Sequence, residues 1–141
     1  MNSTILKGIW AGIISGIFVG IFTLISDGIF YSKYVTNFEM ARVYSKPLVQ
    51  LLLFMLISIV YGSIQGGIFA WLLPLLPNGW VLRGIIFGVV SYLILSRHFI
   101  EGFAFMNPKY MPTNLIIYLS VEFLIIYILQ GIIISKIIKF S

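Results

Sequence analysis

The stretch GIWAGIISGIFVG, residues 8–20, places a glycine at every fourth position of an otherwise apolar run. Glycine is a poor helix former and costs about 1 kcal/mol relative to alanine inside a helix in water. At this spacing the four glycines lie along one helix face, where they leave a groove that lets a second backbone approach closely. The stretch therefore predicts a helix held by close packing, with a right-handed crossing favoured by the spacing of four.

The composition indicates that this packing takes place in lipid. Of 141 residues, 60% are hydrophobic and only 9% are charged, whereas soluble domains carry roughly 25% charged residues. Four apolar runs lie at 5–26, 48–73, 81–96 and 114–138, and a bilayer core requires about 20 residues. The third run is the shortest, and it either extends through residues 97–99 or ends near the interface. We expect an all-α, polytopic membrane protein with four transmembrane helices.

Charge and cysteine usage exclude several other classes of protein. The chain has no cysteine, so disulfides, iron–sulfur ligation and thiol chemistry are excluded. The net charge of +5 comes from basic residues scattered at helix ends, a pattern typical of membrane flanks, so we expect the lipid bilayer and not nucleic acid as a partner. The first apolar run is longer than the core of a signal peptide and lacks a cleavage site, which favours a mature helix.

Orientation in the membrane is poorly specified by charge. Four spans put four Lys or Arg residues on the face that carries the termini and five on the other, which is no usable bias. We expect a prokaryotic plasma membrane with both termini cytoplasmic, and dual topology stays open.

Two pairs of segments suggest an internal repeat. KGIWAGIIS at 7–15 aligns with RGIIFGVVS at 83–91, and IQGGIFA at 64–70 aligns with LQGIIIS at 129–135. These matches fall in the first and third spans and in the second and fourth spans. The sequence therefore predicts one transmembrane domain, residues 1–141, built from two tandem related helical hairpins at 5–73 and 81–138.

Small residues recur at helical spacing in three of the spans. They are Gly8, Gly12, Gly16 and Gly20 in the first span, Ser58, Gly62, Gly66 and Ala70 in the second, and Gly84 and Gly88 in the third. One interpretation is that these rows pack the chain's own helices together. The other is that a row docks a further subunit or a second copy, so a homo-oligomer or a membrane-protein complex is expected.

Glu122 is the candidate proton or ion site. It lies about eight residues into the fourth span, ~13 Å deep in a core about 30 Å thick. An acidic residue at such depth is a functional candidate by default. Ser58, Tyr92 and Thr23 lie at similar or shallower depth and are candidate hydrogen-bond partners. The alternative is a protonated, hydrogen-bonded glutamate that only fixes helix register.

Two further groups of polar residues lie near the membrane faces. Candidate contacts for an anionic lipid headgroup are Lys7, Arg83, Gln65 and Gln130, although such residues also serve as anchors for helix ends. The opposite face carries an interface cluster of Asp27, Arg97, His98 and Glu101. One histidine is too few for a metal site, so no metal is expected, and an i, i+4 pair of Arg97 with Glu101 is the favoured use of the cluster.

The chain resembles two groups of membrane proteins. VEFLIIY at 121–127, two hairpins in tandem and glycine-rich odd helices are similar to the duplicated proteolipid of rotary ATPases, which implies a proton- or sodium-carrying role for Glu122. The chain departs from that family in spacing its glycines by four instead of two, and in the long connection at 27–47. The third span begins W-x-x-R-G-x-x-F-G, Trp80 to Gly88, and there it resembles uncharacterised, glycine-rich prokaryotic four-span proteins.

Nothing in the sequence predicts an enzyme. The chain shows no nucleophile–base pair, no phosphate-binding loop and no cofactor motif, so no cofactor is expected. The function expected from these patterns is that of a non-enzymatic accessory or scaffold subunit that packs against other membrane helices. The alternative is a small proton- or cation-coupled transporter, or a rotor-type protomer, that uses Glu122.

Overall fold

A computed structural model describes residues 3–26, 47–95 and 113–140 of the chain. These ranges contain four α-helices: α1 (Ser3–Ser26), α2 (Pro47–Leu72), α3 (Trp80–Leu95) and α4 (Thr113–Phe140). No strand occurs within them. The fold is all-helical in this part of the chain, and each helix begins and ends close to the bounds of a predicted apolar run.

Three of the four helices are long and apolar enough to cross a membrane. The candidate spans are Ser3–Thr23, Met55–Leu75 and Ile117–Lys139. The apolar helix α3 has 16 residues, which corresponds to a length of ~24 Å at the usual rise per residue. It is therefore shorter than the other three, and a crossing at this position stays a prediction. The extension expected through residues 97–99 lies outside the described residues.

The helices pack in two units, Met1–Trp71 and Leu72–Ser141. In the N-terminal unit α1 lies against α2, and the two run antiparallel because Gly8 meets Gly66 while Gly16 meets Ser58. A Cβ added to Gly12 would collide with the carbonyl oxygen of Gly62 and would lie 3.0 Å from the Cα of Gly66. The two backbones are in direct contact here, an approach that only small residues permit.

In the C-terminal unit α3 lies against α4 in the same manner. A Cβ on Gly84 would lie 2.5 Å from the Cα of Ile132, and one on Gly88 would lie 2.5 Å from the carbonyl oxygen of Tyr127. Gly131 on α4 returns the contact, since its added Cβ would collide with the carbonyl oxygen of Gly84. Both units are thus antiparallel helix pairs with glycine at the line of contact, which we call the seam.

A short turn connects α2 to α3. The chain leaves α2 through a 3-10 turn, Leu73–Leu75, and reaches α3 through Gly79, whose φ of 101° is accessible to glycine without strain. The Nε of Arg83 donates a hydrogen bond of 3.1 Å to the carbonyl oxygen of Pro77. Each unit has one end that adjoins this turn, and we call it the turn end. In the N-terminal unit it lies at the C-terminus of α2, and in the C-terminal unit it lies at the N-terminus of α3.

Candidate functional site

Buried polar side chains lie beside the seam of each unit. One residue corresponds to a rotation of about 100° around a helix, so the residue that precedes a seam residue points to the side of the pair. Because the paired helices run antiparallel, these preceding residues point to the same side from both helices. We call this side the flank. Its buried residues are Ala11, Ser15, Gln65 and Phe69 in the N-terminal unit and Phe87, Ser91, Glu122, Ile126, Gln130 and Ile134 in the C-terminal unit.

Gln65 is the most deeply buried amide of the two flanks. Its side chain is 2% exposed, and neither its amide nitrogen nor its amide oxygen has a hydrogen-bond partner in the structure. Burying an amide without a partner costs about 1–3 kcal/mol by protein mutational data, and more in a fully apolar medium. An amide in this position is therefore expected to bind a polar partner when one can reach it.

Glu122 is the carboxyl group of the C-terminal flank. Its side chain is 7% exposed, and its Oε1 has no hydrogen-bond partner. The chain has four acidic residues, and Glu122 is the one that belongs to a described helix. A carboxyl group in this setting suits a proton or a small cation as ligand, because either one neutralises the charge that burial disfavours.

The hydrogen-bond partners expected for Glu122 lie in three different settings. Tyr92 belongs to the same unit, where its ring contacts the ring of Tyr127 edge to face, with a centroid separation of 6.2 Å. Ser58 belongs to the N-terminal unit and lies on the seam opposite Gly16. Thr23 donates its hydroxyl hydrogen bond to the carbonyl oxygen of Val19 in its own helix, at 3.0 Å.

Each flank also contains one buried serine hydroxyl. Ser15 is fully buried and donates a hydrogen bond of 2.9 Å to the carbonyl oxygen of Gly12, which leaves its oxygen able to accept another. Ser91 is also buried. Neither serine is predicted as a site residue from the sequence, although both occupy the last position of the aligned segments 7–15 and 83–91. That shared position is the signal that could have found them.

Ser135 is a buried hydroxyl on the seam itself. It lies one turn nearer the turn end than the seam residue Gly131, its side chain is fully buried, and its Oγ has no hydrogen-bond partner. The aligned residue of the N-terminal unit is Ala70, which is also buried. The C-terminal unit therefore carries a polar group where the N-terminal unit carries a methyl group.

Residues paired by the two sequence alignments occupy matching environments. Gln65 and Gln130 are both buried, and both lie on a flank. Gly66 faces the carbonyl oxygen of Gly8, and its counterpart Gly131 faces that of Gly84.

The correspondence between the units is broken near Glu122. The counterpart of this buried residue is Ile57, which is 63% exposed. In the N-terminal unit an added Cβ on Gly62 would lie 2.9 Å from the Cα of Gly16, whereas the aligned positions of the C-terminal unit hold the ring pair of Tyr92 and Tyr127. A contact between two backbones in one unit is thus a contact between two side chains in the other.

The residues considered for a lipid headgroup differ in their exposure. Gln65 and Gln130 are buried, whereas Lys7 is exposed and Arg83 is half-buried and bonded to Pro77. At the turn end of the C-terminal unit the Nζ of Lys136 lies 5.6 Å from the ring centroid of Trp80. This cation–π contact, which the sequence analysis misses, ties the last turns of α4 to the start of α3.

The interface cluster of Asp27, Arg97, His98 and Glu101 lies outside the described residues. Within residues 3–26, 47–95 and 113–140, no three His, Cys, Asp or Glu side chains form a group that could hold a metal ion.

Comparison of the chain with protein-family models, curated proteins and solved structures finds no match to any of them.

Proposed function

We propose that this chain is an integral membrane protein of a prokaryotic plasma membrane, with four crossing helices arranged as two tandem related hairpins. Support comes from three helices of membrane-spanning length and from bulky apolar side chains exposed on all four helices, such as Trp10, Leu52, Leu93 and Ile117. The matching seams of the two units support the repeat, since residues paired by sequence meet partners that are also paired by sequence.

We further propose that the protein is a non-enzymatic carrier of protons or of a small monovalent cation, with Glu122 as the binding group. The observation that carries this proposal is the burial of the Glu122 carboxyl with an unpartnered Oε1. An unpaired carboxylate is disfavoured in a membrane helix, whereas a protonated or cation-bound carboxyl is tolerated. Binding and release of one such ion changes the charge of the site, and this change is the basis of coupled transport.

The glycine seams favour this function over an accessory subunit. The docking interpretation needs a row of small residues that is open to another subunit. The glycines of α1 lie instead against α2, and those of α3 lie against α4, so these faces are occupied within the chain. The accessory or scaffold role, and with it assembly with other membrane proteins or with a second copy, stays a prediction that purification in mild detergent tests.

Ion flux into vesicles tests the carrier function. The purified protein, reconstituted into liposomes with an internal ion-sensitive dye, is expected to dissipate a gradient of H⁺, Na⁺ or K⁺ faster than protein-free liposomes do. The Glu122→Gln variant keeps the size of the side chain but has no carboxyl to bind a proton or a cation. Its flux is therefore expected to fall to the protein-free level.

Ser63→Ala is the control for this experiment. The Ser63 hydroxyl donates a hydrogen bond of 2.7 Å to the carbonyl oxygen of Val60 in its own helix, and Ser63 follows a seam residue, which places it on the side opposite the flank. Its flux is expected to equal that of the unmodified protein. Full flux in Glu122→Gln, or no flux of any of the three ions in the unmodified protein, overturns the carrier function.

A further inference from the structure

We propose that the flank of each unit is a water path that opens at the turn end, and that the path in the C-terminal unit leads to Glu122. Its polar members are Gln65 and Ser15 in the N-terminal unit and Gln130 and Ser91 in the C-terminal unit. The assignment of Glu122 as the end of a path that delivers an ion rests on the proposed carrier function. The path itself rests on the flank residues alone.

From the turn end inward, the C-terminal flank carries its polar residues in the order Gln130, Ser91 and Glu122, and the buried apolar residues Ile134, Phe87 and Ile126 lie before or between them. On α4, Gln130 lies nearer that end than Glu122, and ~12 Å of helix separates the two. Gly88 on α3 lies at the level of Tyr127 and Ile128 on α4. Because the two helices run antiparallel, Ser91, three residues after Gly88, lies almost one turn nearer the level of Glu122. Ser91 therefore falls between Gln130 and Glu122 in depth.

The N-terminal flank has the same order. Gln65 lies nearer the turn end, and Ser15 lies deeper, because Gly12 already lies at the level of Gly62. Beyond Ser15 the flank positions Val19 and Ile57 are apolar, and Ile57 is exposed. Nearer the turn end than Gln65, this flank carries the fully buried Phe69 on α2 and the exposed Lys7 on α1, which precedes the seam residue Gly8. The path is therefore expected to reach the turn end along α1.

The chemistry of the unpartnered atoms selects water as the occupant. Gln65 presents an amide N–H that needs an acceptor and an amide oxygen that needs a donor, and neither has one. A cation cannot bind the N–H group, and an anion cannot bind the carbonyl oxygen. Water both donates and accepts, so it satisfies the amide and also the Oε1 of Glu122.

The spacing of the flank residues along each helix also favours water. Residues separated by two turns along a helix lie ~11 Å apart, whereas a hydrogen bond between heavy atoms spans about 3 Å. In the structure the Oε1 of Glu122 has no hydrogen-bond partner, so the side chains of the C-terminal flank do not form a continuous hydrogen-bonded chain to it. Bridging waters between them would complete it.

Cysteine labelling tests the path, because the chain has no cysteine of its own. Single variants Ser15→Cys, Gln65→Cys, Ser91→Cys and Gln130→Cys are made in the full chain in sealed vesicles. Each is treated with aminoethyl methanethiosulfonate from one side, with a thiol scavenger on the other. The two serine variants are nearly isosteric, so they test the path even where a glutamine variant does not fold.

Each flank residue has a matched control immediately before it in the chain. These controls are Ile14→Cys, Ile64→Cys, Val90→Cys and Leu129→Cys, all at exposed positions. A side chain exposed to lipid keeps its thiol protonated and unreactive, whereas a thiol in water ionises and reacts. The buried positions are therefore expected to label about tenfold faster than their exposed neighbours, the reverse of the order that a water-soluble protein would show.

Asn78→Cys, in the turn between α2 and α3, reports which side of the vesicle carries the turn end. Labelling of the flank cysteines from that side supports the path. Flank cysteines that react no faster than their neighbours, or that react only from the opposite side, overturn it. A chain that labels in this way but carries no ion contradicts the carrier function alone, whereas ion flux without flank labelling contradicts the path alone.

Discussion

Gln65 combines full burial with an amide that lacks both of its hydrogen-bond partners. Removing such a group in favour of an apolar side chain of similar size relieves its desolvation without leaving a new polar group unpaired.

We expect Gln65→Leu to raise the free energy of unfolding by about 1 kcal/mol and to leave ion flux unchanged, because the flank that leads to Glu122 belongs to the C-terminal unit. Thermal unfolding in detergent, followed by circular dichroism, measures the stability, and the liposome assay measures the flux. Ile64→Leu, which changes the exposed neighbouring residue, is expected to alter neither. A destabilised Gln65→Leu variant would show that the amide has a structural partner.

At the scale of the helix, substitutions at the adjacent residues Gly66 and Gly67 distinguish the effect of helix packing on stability from the effect of intrinsic helix propensity. A Cβ on Gly66 would collide with the carbonyl oxygen of Gly8 and would lie 2.8 Å from the Cα of Gly12. A Cβ on Gly67 would meet only the Cγ1 of Ile9, at an ordinary 3.6 Å. Both positions are helical, so alanine improves the intrinsic propensity equally at each.

We therefore expect Gly66→Ala to destabilise the N-terminal unit by about 1–3 kcal/mol, the range for forced overpacking. Gly67→Ala is expected to be neutral or to stabilise by up to about 1 kcal/mol. The midpoint of thermal unfolding distinguishes the two variants. If both shift it in the same direction and by the same amount, the contact between α1 and α2 does not contribute to stability.

For the whole molecule, the predicted topology in a membrane depends on α3. Its ~24 Å length is less than the roughly 30 Å of a bilayer core, and a short helix crosses by thinning the bilayer or by extending its flanking side chains to the interface. If all four helices cross, both termini and the turn at residues 73–79 lie on one side of the membrane.

We expect fluorescent reporters fused to either terminus to locate to the cytoplasm, and Asn78→Cys to be labelled from that same side. Termini on opposite sides would mean that an odd number of helices crosses. A mixture of both orientations for each fusion would instead identify dual topology. The two predicted faces carry nearly the same number of basic residues, which permits this outcome.

The helices can be predicted from the sequence because each depends on a continuous apolar run, and Pro47 and Pro74 lie where such runs begin or end. The glycine spacing also anticipates the contact of α1 with another helix, but it does not determine the register. Register depends on which small residue of α2 meets Gly12, and several residues at the same spacing are equally suitable.

The candidate site can be predicted from the sequence only where a residue type is conspicuous. A carboxyl group within an apolar run identifies Glu122 without any structure. Ser15 and Ser91 are ordinary residues for a membrane helix, so their place on the flank follows only once the seam is known. The position of Gln65 along α2 gives its depth, and this depth is the reason for the prediction that it contacts a lipid headgroup. Its burial depends instead on the direction in which it points around the helix, which the sequence does not give.

The ring pair of Tyr92 and Tyr127 gives the two units different mechanical properties. Where Gly16 and Gly62 bring two backbones together, a relative shift of the helices meets main-chain atoms that cannot yield. Where two rings meet edge to face, the same shift needs only a rotation about side-chain bonds, on a timescale far shorter than that of helix movement. At this level of the seam the N-terminal unit is therefore stiffer than the C-terminal unit, and in the proposed carrier the compliant contact would lie at Tyr127, five residues after Glu122 on α4.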